Sequence, residues 1–192
     1  MNTLTITEED IYDKLCSLKA GKSHGLDMIH PRVLVDMRDV IKYPLSLIYI
    51  YIKSLQLGIL PHEWKLAELT AIHKKGSKPD SSNYRPISLT SVRCKIMETL
   101  IRNHIMTYFL ENNLIRNKQY GFISGCSTML QLLRMLDDWA ECLEKGGHII
   151  DAVYTDFEKA FDKVPHRRLI SKLQSYKINH VLIEWIVDFF KS

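Results

Sequence analysis

The chain has 192 residues, of which 46% are hydrophobic and 25% charged, with a formal net charge of +4 and a pI near 8.8. That composition excludes global disorder, suits one domain or two small lobes, and permits a polyanionic partner without requiring one. The four cysteines, Cys16, Cys94, Cys126 and Cys142, lie far apart with no C-x-x-C pair, so a disulfide framework or zinc site is not expected and reduced thiols are.

The opening MNTLTITEED has neither the basic start nor the apolar run of a signal peptide. The most apolar window, PLSLIYIYIKSLQLGIL, is broken by Lys53, Gln56 and Gly58 and is too short and too polar to span a bilayer. The expectation is a soluble intracellular chain, with nothing to separate nucleus from cytoplasm.

In chain order, Thr7 followed by Asp10 forms a capping-box pattern, and Ile11, Leu15 and Leu18 repeat at helical spacing, so a first helix is expected to end near Ala20-Gly21. KSHGLDMIHP reads as a loop with Gly25 and Pro31 as breakers and Asp27 between them. Helix is predicted from about Arg32, restarting after Pro44 and stopping at Gly58 and Pro61. LAELTAIHK alternates as a strand does, and KKGSKPDSSNYRP is the polar hairpin loop after it. A long amphipathic helix begins at Ser91, with Ile96, Leu100 or Ile101, Ile105 and Tyr108 on one face, and ends at Asn112-Asn113. After the glycine-punctuated loop QYGFISGCST, a helix spans about Thr128 to Lys145 and stops at Gly146-Gly147. HIIDAVYTDF is the second predicted strand; a turn follows, then helices over about Arg167 to Tyr176 and from His180 onward. Trp64, Trp139 and Trp185 read as core. The pattern is α/β or α+β and helix-rich.

Three segments carry candidate chemistry. In VYTDFEKAFDKVPH, Asp156 stands at the end of an apolar strand, where a carboxylate can hold a hard cation such as Mg²⁺ for phosphoryl transfer. On spacing alone the commoner reading is a strand end capped by solvated acids, with Glu158 and Asp162 as turn residues, since Asp-rich turns are common. In IHKKGSKPDSSNYRPISL, Lys74, Lys75 and Lys78 sit on a hairpin with Arg85 on its returning limb. Lysine point charges and an arginine fork suit a triphosphate, although a solvated basic loop has the same composition. No P-loop pattern occurs, and Tyr84 is placed either to stack on a base or to pack under the loop. In QYGFISGCST, Gly121 and Gly125 suggest close backbone approach, and Phe122 is either core or a stacking platform.

Taken together and in order, KSHGLDMIHPRVL, LPHEWKLAELTAIHKKGSKPDSSNYRPISLTSVRCKIMETLI, QYGFISGCST and VYTDFEKAFDKVPH resemble successive blocks of the reverse transcriptase domain of non-LTR (LINE-type, jockey-like) retrotransposons. The resemblance implies the fingers and partial palm of a polymerase right hand: one partial domain over 1–192, with an N-terminal extension and fingers to about 147 and the start of the palm from about 148. It implies that Asp156 is a ligand of both Mg²⁺ ions, with the backbone carbonyl of Phe157 assisting. It implies that Lys74 and Arg85 contact the triphosphate, and that Phe161 lies under the nucleotide sugar, where a bulky ring excludes a 2′-hydroxyl. Gln119, Gly121 and Phe122 would lie by the template or incoming base pair. Lys75 and Lys78 would add nucleic-acid contacts, and Asp162 would brace the turn. Template RNA, primer DNA and dNTP are the implied partners in the intact enzyme, together with further palm and thumb segments.

The sequence also departs from the family pattern. Met28 replaces a usual glycine and His24 a usual proline in the first block. No glutamine-glycine block and no Asp-Asp pair follow Asp156; Asp137-Asp138 lies upstream. The expectation is therefore a chain that does not polymerise alone. The alternatives are a non-catalytic nucleic-acid-binding module that uses the same basic hairpin and a relic without function.

Overall fold

The computed structural model describes residues 1–41, 47–146, 149–157 and 160–191. The predicted restart after Pro44, the stop at Gly147 and the turn role of Glu158 fall outside those residues. Eight α-helices and one hairpin are described: α1 Glu8–Cys16, α2 Pro31–Asp36, α3 Arg38–Ile41, α4 Leu47–Leu57, β1 Ala67–His73, β2 Tyr84–Thr90, α5 Val92–Glu111, α6 Thr128–Glu144, α7 His166–Ser175 and α8 His180–Phe189. The helix-rich α/β class read from the sequence is the one observed, with its strands paired in a two-stranded antiparallel sheet. Two compact units divide the chain, Met1–Tyr108 with His166–Ser192, and Phe109–Pro165.

The first unit holds the core. The Thr7 hydroxyl accepts from the Asp10 N–H at 3.1 Å and the Asp10 carboxylate accepts from the Thr7 N–H at 2.9 Å, which closes the capping box. Ile11 and Leu15, four apart on α1, are fully buried. The early turns of α5 are buried on more than one side through Val92, Cys94, Ile96, Met97, Leu100 and Ile101, whereas Ile105 and Tyr108 are half-buried. Each such side chain contributes roughly 1.5–3 kcal/mol by leaving water. Burial also pushes the Tyr51 phenol above its ordinary pKa, and its hydroxyl donates to the Arg93 carbonyl at 2.8 Å.

α4 and α8 pack through polar as well as apolar contacts. The Trp185 indole N–H donates to Ser54 Oγ at 2.9 Å, and that hydroxyl donates to the Ile59 carbonyl at 2.8 Å. Asp188 accepts from the Leu60 N–H at 2.8 Å and pairs with Lys65 at 2.7 Å, which holds its carboxyl below the usual carboxylate range. Leu182, Ile183 and Trp185 bury the apolar face of α8.

Three sequence expectations are corrected. α1 stops at Cys16, capped by Ser17, short of the expected Ala20-Gly21. The second strand does not form: residues 149–157 carry no ladder, and Ile149, Val153 and Tyr154 are exposed. β-branched residues favour a strand only where a neighbour accepts their backbone bonds, and among the described residues no strand pairs with this segment. Trp64 and Trp185 are core, but Trp139 on α6 is only half-buried, because no described side chain of the second unit reaches full burial.

Candidate active site

The basic hairpin forms as its sequence dictates. The register pairs Ala67 with Thr90 and continues to Ile72 opposite Arg85 and His73 opposite Tyr84, and the Lys74 N–H extends the ladder to the Asn83 carbonyl at 2.7 Å. Side chains alternate across a strand, so Ile72, Arg85 and Lys74 share one face while His73 and Tyr84 share the other. The two rings of that second pair meet edge to face at 5.3 Å.

The tip is ordered by its own polar groups. Gly76 takes φ +83, and a Cβ there would lie 2.7 Å from Asn83 Nδ2. Asn83 Nδ2 donates to the Ser77 carbonyl at 3.0 Å, and the Tyr84 hydroxyl donates to the Lys78 carbonyl at 3.0 Å. Tyr84 thus braces the loop from beneath. Asp80 accepts from the Ser82 N–H at 2.9 Å, and the hydrogen bonds from Ser82 hold its carboxyl below the ordinary range. Lys74, Lys75, Lys78 and Arg85 are all exposed. The hairpin therefore presents four cations on a tied scaffold, with Lys74 and Arg85 on a common face.

The second unit carries the other predicted residues. Asp156 and Phe157 lie in the exposed extended segment, and Asp162 lies exposed in the turn that follows, which the Val164 N–H closes on the Phe161 carbonyl at 3.3 Å. In the glycine loop, Gln119 Nε2 donates to the Gly121 carbonyl at 2.9 Å. The expected close backbone approach is not found. A Cβ at Gly121 would meet only Gln119 Nε2 at 3.6 Å, and one at Gly125 would meet nothing within 4 Å, so Gly125 is required by its φ of +79 rather than by crowding.

Phe122, also in the left-handed region at φ +65, meets Phe161 edge to face with ring centroids 6.1 Å apart at 88°. Two segments far apart in sequence thus bring their exposed rings together, 76% and 78% exposed respectively, beside the Asp156 segment. Such a ring pair offers a flat and an edge surface to a sugar or base.

Among the described residues the donors do not complete a divalent metal site. Asp156 is a single exposed carboxylate, and among the described residues no three His, Cys, Asp or Glu side chains gather to hold an ion. A two-metal site needs several converging carboxylates.

A further cluster was not legible as one. Asp27, only 4% exposed at its side chain, accepts from the Ser91 hydroxyl at 2.7 Å and from Arg93 Nη2 at 3.2 Å. The same Nη2 lies 3.4 Å from Glu63. The sequence marked Asp27 as a loop residue and Ser91 as a helix start, and nothing in the spacing linked either to Arg93. Met28 takes φ +54, which gives a physical reason for the glycine that the resemblance sets at that position.

The chain combines a helix-rich α/β framework with a basic hairpin, a glycine loop and an acid-bearing segment. The chain belongs to the reverse transcriptase (RNA-dependent DNA polymerase) family, which matches residues 72–192. It is 34% identical to a probable RNA-directed DNA polymerase from transposon BS of Drosophila melanogaster, over 88% of this chain and 18% of that protein. It is 33% identical to the RNA-directed DNA polymerase from mobile element jockey of the same organism, over 87% of this chain and 18% of that protein. The jockey polymerase of Drosophila funebris is 32% identical over 97% of this chain and 20% of its own length. The chain thus spans about a fifth of these relatives and is a segment of a non-LTR reverse transcriptase domain.

Proposed function

We propose that this chain supplies the fingers and the first palm segment of an RNA-directed DNA polymerase. The observation that carries the reading is the meeting of Phe122 with Phe161, which joins the two blocks that the resemblance assigns to the incoming nucleotide. In this reading Lys74 and Arg85 engage the triphosphate, with Lys75 and Lys78 adding contacts to nucleic acid. Phe161 excludes a 2′-hydroxyl by bulk. Gln119, Gly121 and Phe122 face the template or base pair. Asp156 and the Phe157 carbonyl are contributors to a Mg²⁺ site that needs further carboxylates, and Asp162 belongs to the turn that carries them. The partners are dNTP, template RNA and primer DNA, within an intracellular setting.

Since the donor set around Asp156 is incomplete among the described residues, the reading is that the chain alone binds nucleotide and nucleic acid without joining them. Primer extension on an RNA template with Mg²⁺ and dNTPs tests this, comparing the parent with Asp156→Ala. No extension by either is expected. Extension by the parent that disappears in the variant would mean that other carboxylates complete the site, and would overturn the reading of an incomplete centre.

A further inference from the structure

The hairpin that carries Lys74 and Arg85 is held at its root, and the hold has a definite composition. Along most of their length both strands are exposed on both faces, so broad packing against a core does not fix the hairpin's direction. What fixes it lies where the strands leave the body. Ahead of β1, the short 3₁₀ turn His62–Trp64 buries Trp64 and places Glu63 beside Arg93 at 3.4 Å. After β2, Ser91 is 1% exposed and donates to Asp27 at 2.7 Å. Arg93, two residues on, pairs with Asp27 at 3.2 Å.

The third part is the loop around Gly25. A Cβ at that position would lie 2.7 Å from the Ser91 nitrogen and from the carbonyl carbon and oxygen of Thr90, all backbone atoms. The loop is pressed directly on the junction between β2 and α5. Arg93 is also fixed from behind, because its own carbonyl accepts from the buried Tyr51 hydroxyl at 2.8 Å. One guanidinium therefore bridges the two ends of the hairpin and the loop of the first sequence block.

We propose that Asp27 and Arg93 are positioning residues: a clasp that sets the direction of the β1–β2 hairpin and thereby the placement of Lys74 and Arg85. The consequence for nucleotide rests on the triphosphate reading of those two cations. The clasp itself rests on the contacts at the root. A nearly buried carboxylate shared between a hydroxyl and a guanidinium is strongly directional, so removing its charge frees the junction by small angles that the hairpin length magnifies at its tip.

The test uses the 192-residue chain with spin labels on the exposed Cys16 and on a cysteine introduced by Ser77→Cys, in a background of Cys126→Ser and Cys142→Ser. Pulsed dipolar spectroscopy reads the tip-to-body distance, and dTTP with Mg²⁺ is titrated into the same proteins. The parent is expected to give one narrow distance distribution. Asp27→Asn, with helix content unchanged by circular dichroism, should broaden or displace it and weaken dTTP binding about tenfold, the loss expected when one charge-assisted contact to the triphosphate is no longer well made. Lys74→Ala/Arg85→Ala should abolish dTTP binding and leave the distance unchanged, which separates position from contact.

A folded Asp27→Asn protein with the parental distance distribution would overturn the clasp. If Asp27→Asn does not fold, Ser91→Ala, which removes one hydroxyl and no charge, decides by the same distance. A parent that binds no dTTP would overturn the triphosphate reading, while the distance comparison would still decide whether Asp27 positions the hairpin.

Discussion

Gly25→Ala offers a stringent check on how the first sequence block meets the hairpin root. The added methyl would lie 2.7 Å from three backbone atoms of Thr90 and Ser91. Backbone cannot rotate aside as a flexible side chain can, so the loop or the strand–helix junction must shift. Overpacking of this kind costs about 1–3 kcal/mol. The shift also stretches the bonds from Ser91 and Arg93 to Asp27, now 2.7 and 3.2 Å, each a charge-assisted bond that contributes about 1.5–3 kcal/mol when fully made. Losing part of one of them brings the expected total to about 3 kcal/mol, or a fall in Tm of roughly 6–12 °C for a chain of this size. The assay is thermal and urea unfolding read by the fluorescence of buried Trp64 and Trp185, in a Trp139→Phe background to remove the half-buried third indole. Gly21→Ala is the control, since a Cβ there meets nothing within 4 Å. If Gly25→Ala unfolds at the same midpoint as Gly21→Ala, the loop does not press on the junction and the reasoning fails.

Met28→Gly should stabilise the chain by about 0.5–1 kcal/mol, because relief of a left-handed non-glycine residue is worth about 1–2 kcal/mol and the added chain freedom returns part of it; an unchanged urea midpoint would contradict this. Ser54→Ala strips partners from both the Trp185 N–H and the Ile59 carbonyl, so a loss of about 2–3 kcal/mol is expected in the same unfolding assay. The Asp188 carboxyl titrates below its ordinary value in the folded state, chiefly through the bond from Lys65. Its stabilising contribution is therefore fully present above the unfolded carboxylate value of about 3.9 and disappears as pH falls through the lower folded value. Unfolding midpoints between neutral pH and pH 3 should show that acid loss in the parent, and Asp188→Asn should reduce it.

The parts of the fold that were legible in the sequence are those whose signals are local. The capping box at Thr7 and Asp10, the stop at Gly58, the alternation of residues 66–74 and the start of α5 near Ser91 each depend on neighbours within a few positions. The strand over 148–157 was misread because Ile149, Ile150 and Val153 announce a preference for extended backbone but not a partner to pair with. Trp139 was misread for a similar reason: an aromatic on an amphipathic helix is core only if another surface covers it fully, and among the described residues Trp139 stays half-buried with Leu132, Leu133 and Leu136 of the same helix exposed.

Within the candidate site, residue types and order were readable, whereas the meetings were not. Nothing in the spacing of QYGFISGCST and VYTDFEKAFDKVPH places the ring of Phe122 against that of Phe161. Likewise, Asp27, Ser91 and Arg93 are joined only by the folded path of the chain. Long-range side-chain contacts of this kind are fixed by packing, which sequence periodicity does not encode.

The most direct test of the account is a titration of dTTP with Mg²⁺ into the parent chain and into Lys74→Ala/Arg85→Ala, repeated across a salt series. The parent is expected to bind dTTP with an affinity that weakens as salt rises, and the double variant to lose that binding with its fold intact by circular dichroism. Binding that is indifferent to those two residues, or absent from a folded parent, would contradict the assignment of the hairpin as the triphosphate-binding part of a reverse transcriptase.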